Sequence, residues 1–171
     1  MKRTDSHSFF VDAPQAVVWS TLWDTTRIAA CIPGCESVVE RSPMAVYDVA
    51  IRRKVGPLLI RMAVEAEVVE RTEPSLIKVR GSGKDPRLRS VAVFGLVIRL
   101  RPGSAGTEID VETEFELSGL IVSLGERLIA AQLDREMEDF VACLHDTVDS
   151  SALAAGRDTS PLPAPMKETG A

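Results

Sequence analysis

The spacing of hydrophobic residues changes period twice along the chain and so marks out three parts. Early on, Val18, Trp19 and Leu22 recur at helical spacing behind Pro14, which suits a first helical turn, and predict a short amphipathic helix over residues 14 to 23. Asp24 is placed to cap a second short helix reaching about residue 30, and Pro33-Gly34 stops it. Between residues 36 and 118 the period falls to two, with turn residues at Ser42-Pro43, Gly56-Pro57, Glu73-Pro74, Gly81-Ser82-Gly83 and Pro102-Gly103. In the clearest strand Ile109, Val111, Thr113, Phe115 and Leu117 alternate with Glu108, Asp110, Glu112, Glu114 and Glu116, so one face is buried and the other meets water. Arg99 and Arg101, across the turn at Pro102-Gly103-Ser104, fall near Glu108 and Asp110.

From about Leu120 to His145 helical spacing returns, carried by Leu120, Leu124, Leu128 and Ala131, then Leu133, Met137, Phe140, Val141 and Leu144. Beyond it Ala, Pro, Ser and Gly take over, so residues 149 to 171 are expected to form a disordered tail behind one domain of residues 1 to 148. The order is a first strand, two short helices, a meander of about six strands and a long C-terminal helix. It predicts an α+β fold in which a curved antiparallel sheet of about seven strands wraps around that helix. A curved sheet does not close tightly on one rod, and the space left between them suits an apolar ligand.

Composition narrows the function. The charge of -5 and the lack of any basic run argue against a nucleic-acid partner, and no apolar run is long enough to span a membrane, so a cytoplasmic protein is expected. Aromatics are only 5% of residues, which leaves aliphatic groups to line a cavity. Cys31, Cys35 and Cys143 form an odd set, for which a structural disulfide is not expected in that compartment. Cys31 and Cys35 lack the second ligand pair of a zinc site and the two-residue spacing of a redox motif. They are read instead as small apolar residues flanking the Pro33-Gly34 turn. No metal, cofactor or catalytic residue is assigned. His7 is expected to be solvated, and His145 to sit favourably at a helix end. Gly81-Ser82-Gly83-Lys84 lacks the phosphate-loop pattern and is read as a loop between strands. Gly119 and Gly125 call for close approach by a strand or a ligand.

Taken in order, "FFVDAPQAVVWSTLWD", "ACIPGCESVVE", "YDVAIRRKVGPLLIRM", "GSG", "GTEIDVETEFELSGLIVSLGERLI" and "FVACL" resemble the CoxG family of carbon monoxide dehydrogenase proteins, part of the START-like, helix-grip superfamily called SRPBCC. The resemblance covers about residues 7 to 146. It implies a helix-grip fold and a small non-enzymatic accessory protein with an apolar cavity beneath the long helix. It further implies association with a molybdenum hydroxylase of the CO dehydrogenase type, with a role in recruiting that enzyme to the membrane or in carrying quinone to it. Longer members can end in a membrane-binding apolar segment, where the residues here read "PLPAPMKETGA", so at most peripheral contact with the inner membrane face is expected.

With the strand alternation read in register, the cavity walls would be Trp19 and Leu22 from the first helix, Ile32 from the loop, and Val49, Ile51, Met62 and Val64 from middle strands. Phe94, Leu96, Ile109, Val111 and Phe115 would continue them, and Leu124, Leu128 and Ala131 would close them from the long helix. The bound molecule would be an isoprenoid quinone or similar lipid. One alternative is a cyclase- or hydrolase-like enzyme, for which Tyr47 and Arg53 are the only candidate inward polar groups. Another is a ligand-free assembly module or homodimer using an outward row of Val91, Val93 and Val97.

Overall fold

The computed structural model describes residues 1–157. Strand β1 (Lys2–Val11) is followed by helices α1 (Gln15–Leu22) and α2 (Thr25–Cys31), then by β2 (Cys35–Ser42), β3 (Val46–Val55), β4 (Leu58–Thr72), β5 (Leu76–Asp85), β6 (Ser90–Pro102) and β7 (Thr107–Ser118). A short 3-10 helix (Leu120–Leu124) leads into α3 (Glu126–Arg157). The seven strands form one antiparallel sheet in the order β1-β7-β6-β5-β4-β3-β2. The chain therefore leaves one edge at β1, crosses through α1 and α2 to the other edge at β2, and returns strand by strand. This is the helix-grip fold expected from the sequence.

Strand register sets which residues share the inner face. Between β6 and β7, Leu100, Ile98, Leu96 and Phe94 lie opposite Ile109, Val111, Thr113 and Phe115. The acids that alternate with these residues face outward and meet arginines, with Arg101 bonded to Asp110 at 2.5 Å and Arg99 to Glu112 at 2.7 Å.

The buried apolar residues separate into two clusters under α3. The upper one joins Val11, Val18, Trp19, Leu100, Ile109 and Val111 to Leu144 and Val148 of the helix. The lower one joins Val55, Ile60, Leu117 and Ile121 to Ile129 near the helix start. Below them the β5–β6 turn is fixed by Asp85, 1% exposed, whose carboxylate accepts backbone N–H bonds from Arg61, Arg87 and Leu88. Those bonds hold its carboxyl below the ordinary range.

Four local expectations are corrected. The long helix starts at Glu126 and not near Leu120, because Gly119 and Gly125 take positive φ values of 87° and 88° and set off a separate 3-10 turn. A Cβ at Gly119 would lie 2.0 Å from the Arg89 carbonyl oxygen, so the close approach there is by backbone. The helix also runs past residue 148 to Arg157, carrying residues 149–157 of the expected tail, while residues 158–171 lie outside the described residues. His145 consequently sits inside α3, 3.1 Å from Asp149, rather than at a helix end. Half-buried His7 is part of β1, and Gly81-Ser82-Gly83 belongs to the interior of β5.

The cysteines give the fourth correction. Cys31 at the end of α2 and Cys143 on α3 form a disulfide with a Cα–Cα distance of 5.3 Å, leaving Cys35 as a free thiol. The two lie 112 residues apart. Only packing of α2 on α3 brings them together, which spacing along the chain does not register.

Candidate functional site

Between the two core clusters lies a cavity of about 430 Å³. Its floor is the concave face of β3 to β7, its roof is the α3 stripe of Ile129, Gln132, Leu133, Glu136, Met137 and Phe140, and one side is closed by α2 and the following loop. The space exists because the inner face carries small residues at its centre. Ala66, Gly81, Gly83, Ala92 and Gly95 all belong to the inner strands at this level, and four of them, Ala66, Gly83, Ala92 and Gly95, border the cavity directly. A Cβ at Gly81 would stand 2.2 Å from the Phe94 ring, so the missing side chain lets Phe94 lie across the sheet beside Phe115, with ring centroids 6.4 Å apart.

The expected wall residues divide along this geometry. Leu22, Ile32, Val49, Ile51, Met62, Val64, Phe94, Leu96 and Phe115 line the cavity. Ile109 and Val111 share the inward face of β7 but are 0% exposed in the upper cluster, where Leu144 and Val148 fill the space above them. Trp19 is likewise core, and Trp23, one helical turn on, lines the cavity in its place, its ring 5.7 Å from that of Trp19. Leu124 and Leu128 are not among the lining residues and approach Gly56, whereas Ala131 is exposed. The expected helix stripe is phased from Leu120. The break at Gly125 resets that phase, so Ile129, Leu133 and Phe140 point inward.

At the side of β2 and β3 the lining reaches the surface through half-exposed Ile28, Ile32, Pro33 and Val38. Gly34 turns the chain there with φ 74°, and its missing side chain makes room for the Arg53 stem, which a Cβ would meet at 2.3 Å. Arg53 in turn bonds Glu136 of α3 at 2.9 Å, both side chains being 23% exposed, and Gln132 donates to Glu136 at 2.8 Å. Burial pushes the Glu136 carboxyl up despite Gln132 and Arg53. The disulfide fastens the same lid, joining the end of α2 to α3.

Other polar groups on the wall are few. Tyr47 faces the cavity with its phenol pushed up to about 12, chiefly by burial and then by its hydrogen bond to Glu40. Thr113 and Trp23 also line it, and the side-chain Oγ1 of the first and Nε1 of the second are buried without a hydrogen-bond partner within the protein. The sequence pattern assigns neither polar residue to the wall. Thr113 is legible as an inward position, since it shares the β7 face with Val111 and Phe115. Among the described residues no group of His, Cys, Asp and Glu is arranged to hold a metal ion, and no helix is long and apolar enough to cross a membrane.

Solved structures similar to this one share its fold. A conserved protein of Geobacillus kaustophilus superposes with a TM-score of 0.77 at 19% identity, covering 87% of this chain and 97% of its own. An aromatase/cyclase of Streptomyces gives 0.67 at 17% identity over 91% and 99% of the two chains, and an uncharacterized protein of Rhizobium leguminosarum gives 0.66 at 14% over 88% and 96%. No curated protein is matched by sequence. The pattern of the carbon monoxide dehydrogenase CoxG family matches residues 8–149, nearly the whole described domain, and this chain belongs to that family.

Proposed function

We propose that this protein is a non-enzymatic accessory of a CO dehydrogenase-type molybdenum hydroxylase and holds an isoprenoid quinone or similar lipid between its sheet and α3. The observation that carries the reading is the cavity itself, about 430 Å³ and walled mainly by Leu, Ile, Val, Met and Phe. That volume falls within the range of small-molecule pockets, roughly 300 to 1,000 Å³, and the wall is of the kind that takes apolar ligands through burial of hydrocarbon. Family membership supports the link to CO dehydrogenase. Work at the inner membrane face by peripheral contact fits a carrier that collects a lipid and delivers it to an enzyme.

The enzymatic alternative has less support. Tyr47 and Arg53 both face the cavity, as that alternative requires. Burial nevertheless holds the Tyr47 phenol protonated up to about 12, the wrong direction for a base, and Arg53 is engaged by Glu136. For an assembly module, Val93 is 48% exposed on the outer face, yet a cavity of this size has no role in that reading.

The direct test is to incubate purified protein with membranes, reisolate it, and analyse organic extracts by mass spectrometry. Quinone or lipid is expected in stoichiometric amount. Recovery no higher than from a control protein of similar size would sink the carrier reading.

A further inference from the structure

Buried hydroxyls and carboxylates in this fold are paired with one exception. Thr21 donates to the Val17 carbonyl at 2.8 Å, Thr107 to that of Ala13 at 2.8 Å, Ser90 to that of Leu88 at 3.1 Å, and Asp85 accepts three amides. Thr113, 4% exposed, has no partner for its Oγ1 within the protein. Valine has the same shape and would fill this inward position of β7 without burying an unpaired hydroxyl. The other such atom among the described residues, Trp23 Nε1, belongs to the same cavity.

Both atoms also belong to the same end of it. Thr113 is two residues from Val111 of the upper cluster and opposite Leu96, and Leu96 and Trp23 both pack against that cluster. The Trp23 ring is held by the Arg71 guanidinium 5.6 Å from its centroid and by Trp19, so the indole N–H has a fixed direction. An indole nitrogen can only donate, and a threonine hydroxyl can donate or accept.

We infer that Thr113 and Trp23 form the polar anchor of the cavity, which takes up apolar molecules that carry hydrogen-bond-accepting oxygens on a ring, as a quinone does, in preference to hydrocarbons of the same shape. The inference rests on the carrier reading and adds to it the chemical feature by which the ligand is chosen. Ring oxygens at the upper end replace the missing partners, while the rest of the molecule lies against the aliphatic wall toward Ile32 and Pro33.

The test uses two matched probes, a 1,4-naphthoquinone with a short isoprenoid tail and the naphthalene hydrocarbon with the same tail, titrated calorimetrically into the intact protein. Wild type is expected to prefer the quinone. Thr113→Val should weaken the quinone about five- to tenfold, the scale of one hydrogen bond, and change hydrocarbon binding less than about twofold. Thr113→Ser should restore most of the loss, and Trp23→Phe, which keeps a ring beneath Arg71, should act like Thr113→Val. The ligand-free Thr113→Val protein should melt at or above the wild-type temperature, since an unpaired buried hydroxyl has been removed. Equal effects on both probes, or no effect of either substitution on quinone binding, would overturn the anchor and leave an apolar carrier standing. Uptake of neither probe by wild type would overturn both.

Discussion

The two halves of the gap between sheet and α3 are built from the same strands yet end differently. In the upper half β7 presents Ile109 and Val111, β6 presents Leu100 and Ile98, and Trp19, Leu144 and Val148 fill the space above them to complete burial. In the middle the same strands present Thr113 and Phe115 beside Leu96 and Phe94, their neighbour β5 presents Gly81 and Gly83, and a cavity remains. Burial of apolar surface stabilises the fold in the first region, and side-chain volume is withheld in the second. A binding site of this kind is thus a matter of residue size at a few inward positions on a sheet whose pattern is otherwise uniform.

Substitutions can separate the two regions. The largest effect is expected from Cys143→Ser, which opens a disulfide closing 112 residues and frees the lid from α3. A loss of about 3 to 5 kcal/mol in urea unfolding is expected, with faster ligand exchange measured by stopped flow. Leu144→Ala in the filled region should cost about 3 kcal/mol, whereas Met137→Ala on the cavity roof should cost about 1 kcal/mol, because its side chain already borders open space. Similar losses at both sites would erase the distinction. Ala66→Trp, placed beside Gly81 in the middle, should change stability by less than about 1.5 kcal/mol while abolishing uptake of a prenylated quinone in the calorimeter.

The smallest effects concern pH. Glu136 has its folded value raised by burial, so its contribution is fully favourable below the unfolded value near 4.3 and is lost as pH rises through the folded one. Wild type should therefore lose stability relative to Glu136→Gln over that interval. Asp85 has its folded value lowered, so its contribution is present above the unfolded value near 3.9 and is lost as pH falls through the folded one. Asp85→Asn should flatten the acid limb of the curve. Urea midpoints collected from pH 3 to pH 8 check both signs, and parallel curves for wild type and Glu136→Gln would remove burial as the cause of the first.

Strand content, the two short helices and the long helix are readable because periods of two and 3.6 are written residue by residue. The wall on β3, β4 and β6 is readable for the same reason, as is the bonding of Arg101 to Asp110 across its turn. Three features are not. Gly81-Ser82-Gly83 looks like a turn in isolation, and only the ladder from Gly81 to Ala66 on one side and Phe94 on the other makes it strand. The helix stripe is misphased because Gly125 separates two helical segments that share one apolar pattern. Trp19 and Trp23 are equivalent in sequence spacing, and their division between core and cavity depends on what stands above each.

Local alternation and capping, carried by neighbouring residues, thus determined the elements, their order and the inward face of each strand. Their assembly decided which inward residues are core and which are wall, paired Cys31 with Cys143, set Arg53 against Glu136, and left Thr113 and Trp23 as unpaired polar groups. These depend on contacts between residues far apart in the chain, and a pattern confined to one segment holds no information about the volume that another segment leaves unfilled.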